Sequence, residues 1–249
     1  MKALITGASS GIGRDIAREL DKKGYELILV GRDKEKLDEL KKEMRFASVI
    51  LCDLSKKDEV YRLYLKTKNE GVNLLVNNAG FGLFGYFNET ELEKEIGMIN
   101  VNIIAVHMLT KLFLADFVKK DEGQILNVAS AAGFMAGPYL GTYYASKNYV
   151  LKLTMAIYEE LKQQGSNVKI SVLCPGPVNT NFNNIAGGSF KTKGLSSEYV
   201  ARYAVKQMQK QKLVIIPSFK MKLGIFFTRF IPLKLQLKIT YFIQKGKTK

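Results

Sequence analysis

Residues Ala3 to Gly13 read Ala-Leu-Ile-Thr-Gly-Ala-Ser-Ser-Gly-Ile-Gly, an apolar run that leads into a turn with three glycines. The apolar part predicts a buried strand, and the residues from Arg14 to Leu20 predict a helix directly after the turn. The N-terminus of such a helix has free N–H groups that attract anions, and glycine lets a phosphate approach the backbone closely. The spacing Gly-x-x-x-Gly-x-Gly therefore indicates a dinucleotide site, against the alternative of a glycine turn without a chemical role.

The same strand-to-helix pattern continues along the first 217 residues. Short apolar runs predict seven strands, at Ala3–Thr6, Glu26–Val30, Ala47–Leu51, Leu74–Asn77, Gln124–Ala129, Lys169–Cys174 and Leu213–Pro217. Helical patterns lie between them, at residues 14–23, 34–44, 56–69, 90–119, 143–164 and 197–211. This alternation predicts an α/β fold of the Rossmann type, a doubly wound seven-stranded parallel sheet with helices on both faces. Such sheets bind ligands at the carboxyl ends of their strands.

Composition limits the class of protein further. A chain of 249 residues, 47% of them hydrophobic, predicts one large ordered domain. Cys52 and Cys174 lie in apolar runs, which predicts neither a disulfide framework nor a metal site and suits a reducing cytoplasm. His107 is the only histidine, so a histidine-based metal site is excluded, and its apolar surroundings predict a core or packing role. We expect no signal peptide, and no apolar stretch of the roughly 18 residues that a membrane span needs.

Tyr143 and Lys147, four residues apart near the start of a predicted helix, are candidates for catalysis. The spacing places both on one face, where the ammonium would lower the pKa of the tyrosine and let its hydroxyl exchange a proton near neutral pH. The same spacing occurs three more times, at Tyr64, Tyr158 and Tyr241. Those pairs are interpreted as solvated helix faces, because only Tyr143 follows a strand-end serine by 13 residues. That serine, Ser130, could hydrogen-bond a substrate carbonyl oxygen.

At this point the motifs resemble the short-chain dehydrogenase/reductase family, in its compact single-domain branch, over about residues 1–217. The resemblance implies a catalytic tetrad of Asn102, Ser130, Tyr143 and Lys147. In that tetrad the tyrosine donates the proton, the serine orients the carbonyl, the lysine binds the nicotinamide ribose and the asparagine supports a proton-relaying water. Asn100 is a near neighbour that leaves the asparagine assignment open.

The family resemblance also implies a set of cofactor-binding residues. The Asn-Asn-Ala-Gly motif at 77–80 would support the sheet and flank the cofactor, and the Pro-Gly segment at 175–180 would hold the nicotinamide amide. Besides Tyr143 and Lys147, the implied cofactor-binding residues are Gly7, Ser9, Ser10, Gly11, Ile12, Gly13, Arg32, Asp53, Leu54, Asn78, Ala79, Gly80, Pro175, Gly176, Val178 and Thr180.

The end of the second strand favours NADP over NAD. Gly31 stands where enzymes that prefer NAD place an acid for the ribose hydroxyls, and Arg32 follows with a guanidinium that can bind a 2′-phosphate. Ser9 and Lys36 could add to that phosphate site. Asp33 is interpreted as the cap of the next helix and not as the ribose acid.

Two regions are assigned to the substrate. The polar, glycine-containing segment Asn181–Leu195 follows the nicotinamide loop and predicts a mobile lid. Apolar residues of nearby loops suggest an apolar substrate, although they could equally belong to the core. These residues are Phe81, Leu83, Phe84, Phe134, Met135 and Phe182.

Residues 218–249 predict a basic, helical C-terminal extension and not an independent domain. Residues 199–249 carry 12 Lys+Arg and no acid, against a net charge of +15 for the whole chain. Two apolar stripes at helical spacing are formed by Phe219, Leu223, Phe226, Phe227 and Phe230, and by Leu235, Ile239 and Phe242. They could pack on the core or a partner subunit, cap the pocket with lysines facing an anionic acyl carrier, or lie in an anionic membrane. Nucleic-acid binding is disfavoured, because the aromatic residues alternate with aliphatic ones as if packed.

The function predicted from these features is NADP(H)-dependent hydride transfer between a nicotinamide and a carbonyl or secondary alcohol. An apolar ketone or a 3-oxoacyl compound is the expected small-molecule substrate, since the basic, apolar tail resembles that of a bacterial subgroup similar to long-chain 3-oxoacyl reductases. A homo-oligomer, dimer or tetramer, in the cytoplasm is expected, with a peripheral membrane contact left open. The alternative is a nucleotide-binding regulatory or membrane-associated scaffold, although such a protein would not need Tyr143 or Ser130.

Overall fold

A computed structural model describes residues 1–180, 182, 186–187 and 194–246. Its strands are β1 (Lys2–Thr6), β2 (Glu26–Gly31), β3 (Ala47–Leu51), β4 (Val72–Asn77), β5 (Gln124–Val128), β6 (Lys169–Leu173), β7 (Val178–Asn179), β8 (Leu195–Ser196) and β9 (Val214–Ile215). Seven of them form one parallel sheet in the order β3-β2-β1-β4-β5-β6-β9. This order confirms the doubly wound Rossmann-type sheet, and the two remaining strands, β7 and β8, form a small separate parallel pair.

Helices cover both faces of the sheet. They are α1 (Gly11–Lys22), α2 (Lys34–Glu43), α3 (Lys57–Thr67), α4 (Leu92–Ile99), α5 (Val106–Lys120), α6 (Gly141–Gln163), α7 (Ser197–Gln209), α8 (Phe219–Thr228) and α9 (Leu233–Lys245). The predicted helix at 90–119 is thus divided, because a π-helical turn, Asn100–Ala105, joins α4 to α5. A short 3₁₀ helix, Ala131–Phe134, follows β5.

The alternation of side chains along the strands divides the core into two layers. Ala3 and Ile5 of β1 pack with α1, α2 and α7 on one face, whereas Leu4 packs with α3 and α5 on the other. The inner strands β1, β2, β4, β5 and β6 are mostly buried on both sides, as expected for a parallel sheet covered by helices, whereas the edge strand β3 is only half-buried. The loops after the strands meet at the carboxyl edge of the sheet, where folds of this type bind their ligands.

Two expectations about the long helical region were wrong. Taken together, α4, the π-helical turn and α5 form one helical stretch of 29 residues, Leu92–Lys120, with a mean hydropathy of 1.6 over its most apolar 18 residues. By length and composition, an apolar helix of membrane-spanning length therefore does occur. Leu109, Phe113 and Phe117 of this helix are nevertheless packed in the core against the sheet. His107, on the same helix, is exposed rather than in the core, and its Nδ1 lies 2.7 Å from the hydroxyl of Tyr149.

A buried group of amides and hydroxyls crosses the centre of the sheet. Asn77 Nδ2 on β4 donates to Asn127 Oδ1 on β5 at 2.9 Å and to the hydroxyl of Thr110 on α5 at 3.0 Å. Asn127 Nδ2 in turn donates to the hydroxyl of Thr154 on α6 at 3.0 Å. All four side chains are at most 1% exposed. Each needs its partner because an unpaired buried polar group is costly.

Replacing Asn127 with alanine should destabilise the chain by about 1–3 kcal/mol, since Asn77 and Thr154 would each lose a buried partner and a small cavity would remain. Urea unfolding followed by circular dichroism measures the change. Gln163→Ala, which removes an exposed hydrogen bond to Glu159 on α6, is the control and should stay within about 0.5 kcal/mol of the original. A similar small change for Asn127→Ala would contradict a structural role for this group.

Candidate active site

The glycine turn between β1 and α1 leaves a cradle that side chains would fill. Gly7 and Gly11 have φ of 64° and 54°, the left-handed region that favours glycine. A Cβ on Gly13 would lie 2.4 Å from the carbonyl oxygen of Gly7 and 2.3 Å from Nδ2 of Asn78. Asn78 Nδ2 donates to the carbonyl oxygens of Thr6 and Gly7, at 3.0 and 3.1 Å. The turn is therefore held against the end of β4 with its backbone uncovered.

The first turn of α1 has the properties of an anion site. Ser10 is the N-cap residue, its side chain makes no cap hydrogen bond, and the first turn carries no acid. The N–H groups at Ile12 and Gly13 thus lack the usual side-chain acceptor. A Cβ on Gly11 would lie 3.1 Å from the Thr180 methyl group, so the segment after β6 borders this turn. Such a cradle fits a pyrophosphate, which would accept hydrogen bonds from the free N–H groups.

The end of β2 places the residues for a ribose phosphate next to the turn. A Cβ on Gly31 would lie 3.7 Å from Oγ of Ser9. Arg32 is exposed and forms no ion pair with any carboxylate in the described part of the chain. Asp33 accepts a hydrogen bond from the Lys36 N–H at 3.1 Å, which confirms its role as a helix cap. Lys36 Nζ lies 2.5 Å from the Asp33 carboxylate, so its charge is already paired.

The loop after β3 faces the same region. Asp53 accepts hydrogen bonds from the N–H and the hydroxyl of Ser55, at 3.1 and 2.8 Å, and its own N–H donates to Glu59. Leu54 beside it is 7% exposed. This bonding fixes the loop at the carboxyl edge of the sheet, where an adenine would lie if the cofactor follows the glycine turn.

Asn102, and not Asn100, is directed into the site. It lies in the π-helical turn and is fully buried. Its Oδ1 accepts from the Phe81 N–H at 3.1 Å, and its Nδ2 donates to the Phe81 carbonyl at 2.9 Å and to Ser146 Oγ at 3.0 Å. π-turns often occur at functional sites. This one joins the loop after β4 to the N-terminal part of α6, at Ser146.

Ser130 and Tyr143 come together at the end of β5. Ser130 is the N-cap of the 3₁₀ helix, where its Oγ accepts from the Ala132 N–H at 3.1 Å. Its hydroxyl donates to the Pro175 carbonyl at 3.5 Å and lies close enough to the Tyr143 hydroxyl to act against the rise in the pKa of that phenol. The ring of Tyr143 packs against the ring of Phe182, with centroids 5.2 Å apart. A serine hydroxyl and a phenol hydroxyl therefore share one position, where a carbonyl oxygen could accept from both.

Lys147 lies below Tyr143 on the same face of α6. It is 4% exposed, and its Nζ donates to the Val128 carbonyl at 2.9 Å and lies 5.9 Å from the centre of the Tyr143 ring. A Cβ on Gly80 would lie 3.2 Å from that Nζ and 3.0 Å from Oδ1 of Asn102. Glycine at position 80 thus keeps the space between the loop after β4 and the Lys147 ammonium open.

The pKa values of the pair differ from the expectation made from the sequence. Desolvation in the packed surroundings raises the pKa of Tyr143 to about 12, and the hydrogen bond from Ser130 opposes this only in part. Desolvation also lowers the pKa of Lys147 to about 8. In the chain without cofactor, the lysine thus does not lower the pKa of the tyrosine as we expected. Tyr143 remains a neutral donor over the ordinary pH range.

The Pro-Gly segment packs against the other side of the site. The Pro175 carbonyl accepts from the Ala131 N–H at 2.8 Å, which ties the segment to the 3₁₀ helix. A Cβ on Gly176 would lie 2.7 Å from the methyl group of Met221 on α8. Val178 begins β7, and Thr180 Oγ1 accepts from the Phe182 N–H at 3.3 Å. The segment thus connects the glycine turn, the 3₁₀ helix that Ser130 caps and the C-terminal extension.

The proposed substrate residues are only partly brought together. The lid expected at 181–195 falls mostly outside the described residues. All six of the apolar loop residues are half-buried, but Phe81 and Phe134 pack against the core. Phe182 and Phe84 face other aromatic rings, Tyr143 and Tyr139 respectively.

The sequence patterns did not reveal a group of three tyrosines, Tyr86, Tyr139 and Tyr241, which we call the tyrosine group. The hydroxyl of Tyr139 lies 2.8 Å from that of Tyr86 and 3.3 Å from that of Tyr241 on α9. The ring of Tyr139 stacks on the ring of Tyr241, with their centres 5.5 Å apart. Tyr139 has a φ of 65°, which is unusual for a side-chain-bearing residue and which no sequence pattern indicated.

This contact corrects the interpretation of Tyr241 as part of a solvated helix face. Tyr64 and Tyr158 were misinterpreted in the same way. The Tyr64 hydroxyl donates to Asp116 and its ring meets Phe113 edge-on, and Tyr158 is half-buried against the core. The spacing Tyr-x-x-x-Lys alone therefore does not distinguish a solvated tyrosine from a packed one.

Comparisons with known proteins identify the family. The family model described as short chain dehydrogenase matches residues 1–187, and the chain belongs to this family. A 7beta-hydroxysteroid dehydrogenase of Mediterraneibacter gnavus is 30% identical over 190 residues, which cover 74% of this chain and 72% of that protein.

One relative is longer than this chain. A very-long-chain 3-oxoacyl-CoA reductase of Anas platyrhynchos is 34% identical over 198 residues, which cover 76% of this chain and 63% of that reductase. The matched part of this chain thus spans less than two thirds of the duck protein.

Solved structures agree with the fold. A short-chain dehydrogenase from Sphingobium yanoikuyae in complex with NADPH superimposes with a TM-score of 0.83 at 26% identity, covering 92% of this chain and 93% of that one. A family member from Burkholderia phymatum in complex with NAD gives 0.82 at 25% identity, covering 90% and 91%. The neighbours thus bind nicotinamide cofactors of both kinds.

The lowered pKa of Lys147 predicts a pH-dependent stability for the cofactor-free chain. Between about pH 8 and the ordinary lysine value of 10.5, the unfolded chain binds more protons than the folded chain, so the free energy of unfolding rises with pH. The original chain should therefore gain stability relative to Lys147→Met over this range, by at most about 1.4 kcal/mol per pH unit. Below pH 8 the difference should be constant. Urea unfolding from pH 7 to 10 tests this, and a flat difference would contradict the lowered pKa.

Proposed function

We propose that the chain is an NADP(H)-dependent oxidoreductase that transfers a hydride between the nicotinamide and a carbonyl or secondary alcohol. The observation that carries the proposal is the joint position of Ser130, Tyr143 and Lys147 beside the open space at Gly80. A protein that only binds nucleotides would need the glycine cradle but not a buried lysine next to a phenol and a serine. The scaffold alternative is therefore less well supported.

Each catalytic residue has a distinct part in the proposed reaction. Tyr143 holds its proton over the ordinary pH range and would donate it to the carbonyl oxygen, while Ser130 would donate a hydrogen bond to the same oxygen. Lys147 would bind the ribose. Because its pKa is lowered to about 8, its ammonium would carry a positive charge next to the phenol only at lower pH. Asn102 would act by positioning, since its amide fixes the Phe81 backbone against α6. The nicotinamide would supply the hydride.

NADP is the proposed cofactor, with NAD less favoured. The support is Arg32, which is exposed and directly follows Gly31 at the end of β2, where Gly31 lies next to Ser9 and stands in the place of an acid. A guanidinium binds phosphate through charge-assisted bonds and offers nothing comparable to a ribose hydroxyl. Lys36 contributes less than we expected from the sequence, because Asp33 already pairs with it.

An apolar ketone or a 3-oxoacyl compound is the proposed substrate. Phe182 packs on the ring of Tyr143, and Phe84 stacks on the ring of Tyr139, which favours an apolar chain next to the carbonyl. The duck relative acts, by its name, on very-long-chain 3-oxoacyl-CoA, and the bacterial relative on a hydroxysteroid. Both are apolar carbonyl compounds or their alcohols. We also propose a homo-oligomer in the cytoplasm, as the family resemblance implied.

Tyr143→Phe should retain cofactor binding and lose turnover by about 10²–10⁴-fold, because only the proton donor is removed. Consumption of NADPH with a panel of ketones and 3-oxoacyl compounds measures turnover, and fluorescence titration measures binding. Tyr158→Phe, on the same helix with its own lysine four residues later, is the matched control and should be silent. Near-normal turnover in Tyr143→Phe would reject the mechanism.

Arg32→Ala should weaken NADPH binding about 10- to 100-fold and leave NADH binding nearly unchanged, because a charge-assisted phosphate contact contributes about 1.5–3 kcal/mol. Lys34→Ala removes the same charge from a nearby residue that is paired with Asp38, and it should affect neither cofactor strongly. Equal losses for NADPH and NADH in Arg32→Ala would show that Arg32 does not recognise the 2′-phosphate.

A further inference from the structure

The two helices of the C-terminal extension, α8 and α9, turn their apolar side chains outward. The exposed apolar residues on α8 and the turn after it are Phe219, Leu223, Phe226, Phe227 and Phe230, and those on α9 include Leu235, Ile239, Phe242 and Ile243. On α9, Phe242 is 58% exposed, whereas the buried side chains are the polar Thr240 and Gln244, at 6% and 3%. The stripes expected from the sequence are present, but they do not pack on the core of this chain.

Contacts on the inner side fix this orientation. Ile225 of α8 is buried in the core beside Met221. Gln244 Nε2 donates to the Tyr144 hydroxyl, and the Tyr241 hydroxyl accepts from Tyr139. Turning the apolar face of α9 inward would break both of these bonds. The outward face is therefore part of the folded arrangement, and we call the exposed apolar residues of α8 and α9 the outer face.

Basic residues border the outer face on both helices. At 100° per residue, Lys220 lies on one side of the α8 stripe and Arg229 on the other. The half-buried Lys222 instead donates to the Tyr203 hydroxyl at 3.2 Å. Lys234 and Lys238 lie along one border of the α9 stripe. Because residues 199–249 contain 12 basic residues and no acid, no carboxylate of this segment can neutralise them.

We propose that the outer face docks on an anionic lipid bilayer. Aromatic and aliphatic side chains would enter the boundary between headgroups and acyl chains, and the bordering lysines would meet lipid phosphates. A second copy docked by the same face would bring the basic residues that border one outer face against those that border the other, which like-charge repulsion opposes. An anionic bilayer supplies both the apolar layer and the complementary charge. This proposal goes beyond the reductase activity and does not depend on it.

The test is sedimentation of the full-length chain with vesicles. The chain should sediment with vesicles of phosphatidylglycerol and not with those of phosphatidylcholine, and 0.5 M salt should release part of it. Lys234→Gln/Lys238→Gln should lower partition into the anionic vesicles about 30-fold, at roughly fivefold per lysine. Phe226→Ser/Phe230→Ser should lower it at least about tenfold. Circular dichroism should show unchanged folding, since all four side chains are exposed.

A matched control separates the outer face from general stickiness. The control variant is Phe46→Ser, because Phe46 is 71% exposed but lies at the opposite edge of the sheet. This variant should bind vesicles as strongly as the original chain. Absence of vesicle binding by the original chain, or equal binding to both lipids, would overturn the proposal. So would a lipid-free oligomer that Phe226→Ser/Phe230→Ser converts to monomer, because the outer face would then be covered by a second copy. Equal loss of binding in Phe46→Ser would place the contact elsewhere and also overturn it.

Discussion

The amide of Asn102 is the constraint on which the geometry of the site depends. One side chain bonds the N–H and the carbonyl of Phe81, after β4, and also the hydroxyl of Ser146 on α6. The loop that borders the glycine cradle is thereby held at a fixed distance from the helix that carries Tyr143 and Lys147. A straight α-helix would point the Asn102 side chain in a different direction. The π-turn at Asn100–Ala105 directs it toward Phe81 and Ser146.

Burial of Lys147 follows from the same arrangement. Its ammonium has a carbonyl acceptor at Val128 and the space left by Gly80, and protein surrounds the rest of it. An ammonium that is poorly compensated costs stability, which the lowered pKa expresses. A bound ribose would offer the missing acceptors. The chain thus keeps a destabilised group at the place where the cofactor would restore its hydrogen bonds, as functional sites often do.

Sequence patterns predicted the sheet well because burial on both faces gives short apolar runs, as in β1 and β5. They also brought Ser130, Tyr143 and Lys147 into one site, since strand ends and helix spacing are local properties. They failed where direction depends on tertiary contacts. The apolar stripe of α9 gave no sign of pointing outward, since Thr240 and Gln244 are buried only through partners such as Tyr144, 100 residues away. Nor did spacing reveal that burial would raise the pKa of Tyr143.

The polar inner side of α9 has a consequence for how the extension moves. Water can replace the hydrogen bonds that Gln244 and Tyr241 make to the body of the protein, so separating α9 would uncover little apolar surface. Ile225 and Met221 hold α8 in the core, and Pro232 is the N-cap residue of α9, directly after the turn. Opening of α9 about this turn is therefore the least costly large motion that the described contacts allow. Because Gln244 bonds to Tyr144, whose ring lies 6.2 Å from the ring of Tyr143, such opening would remove a support of the residue next to Tyr143.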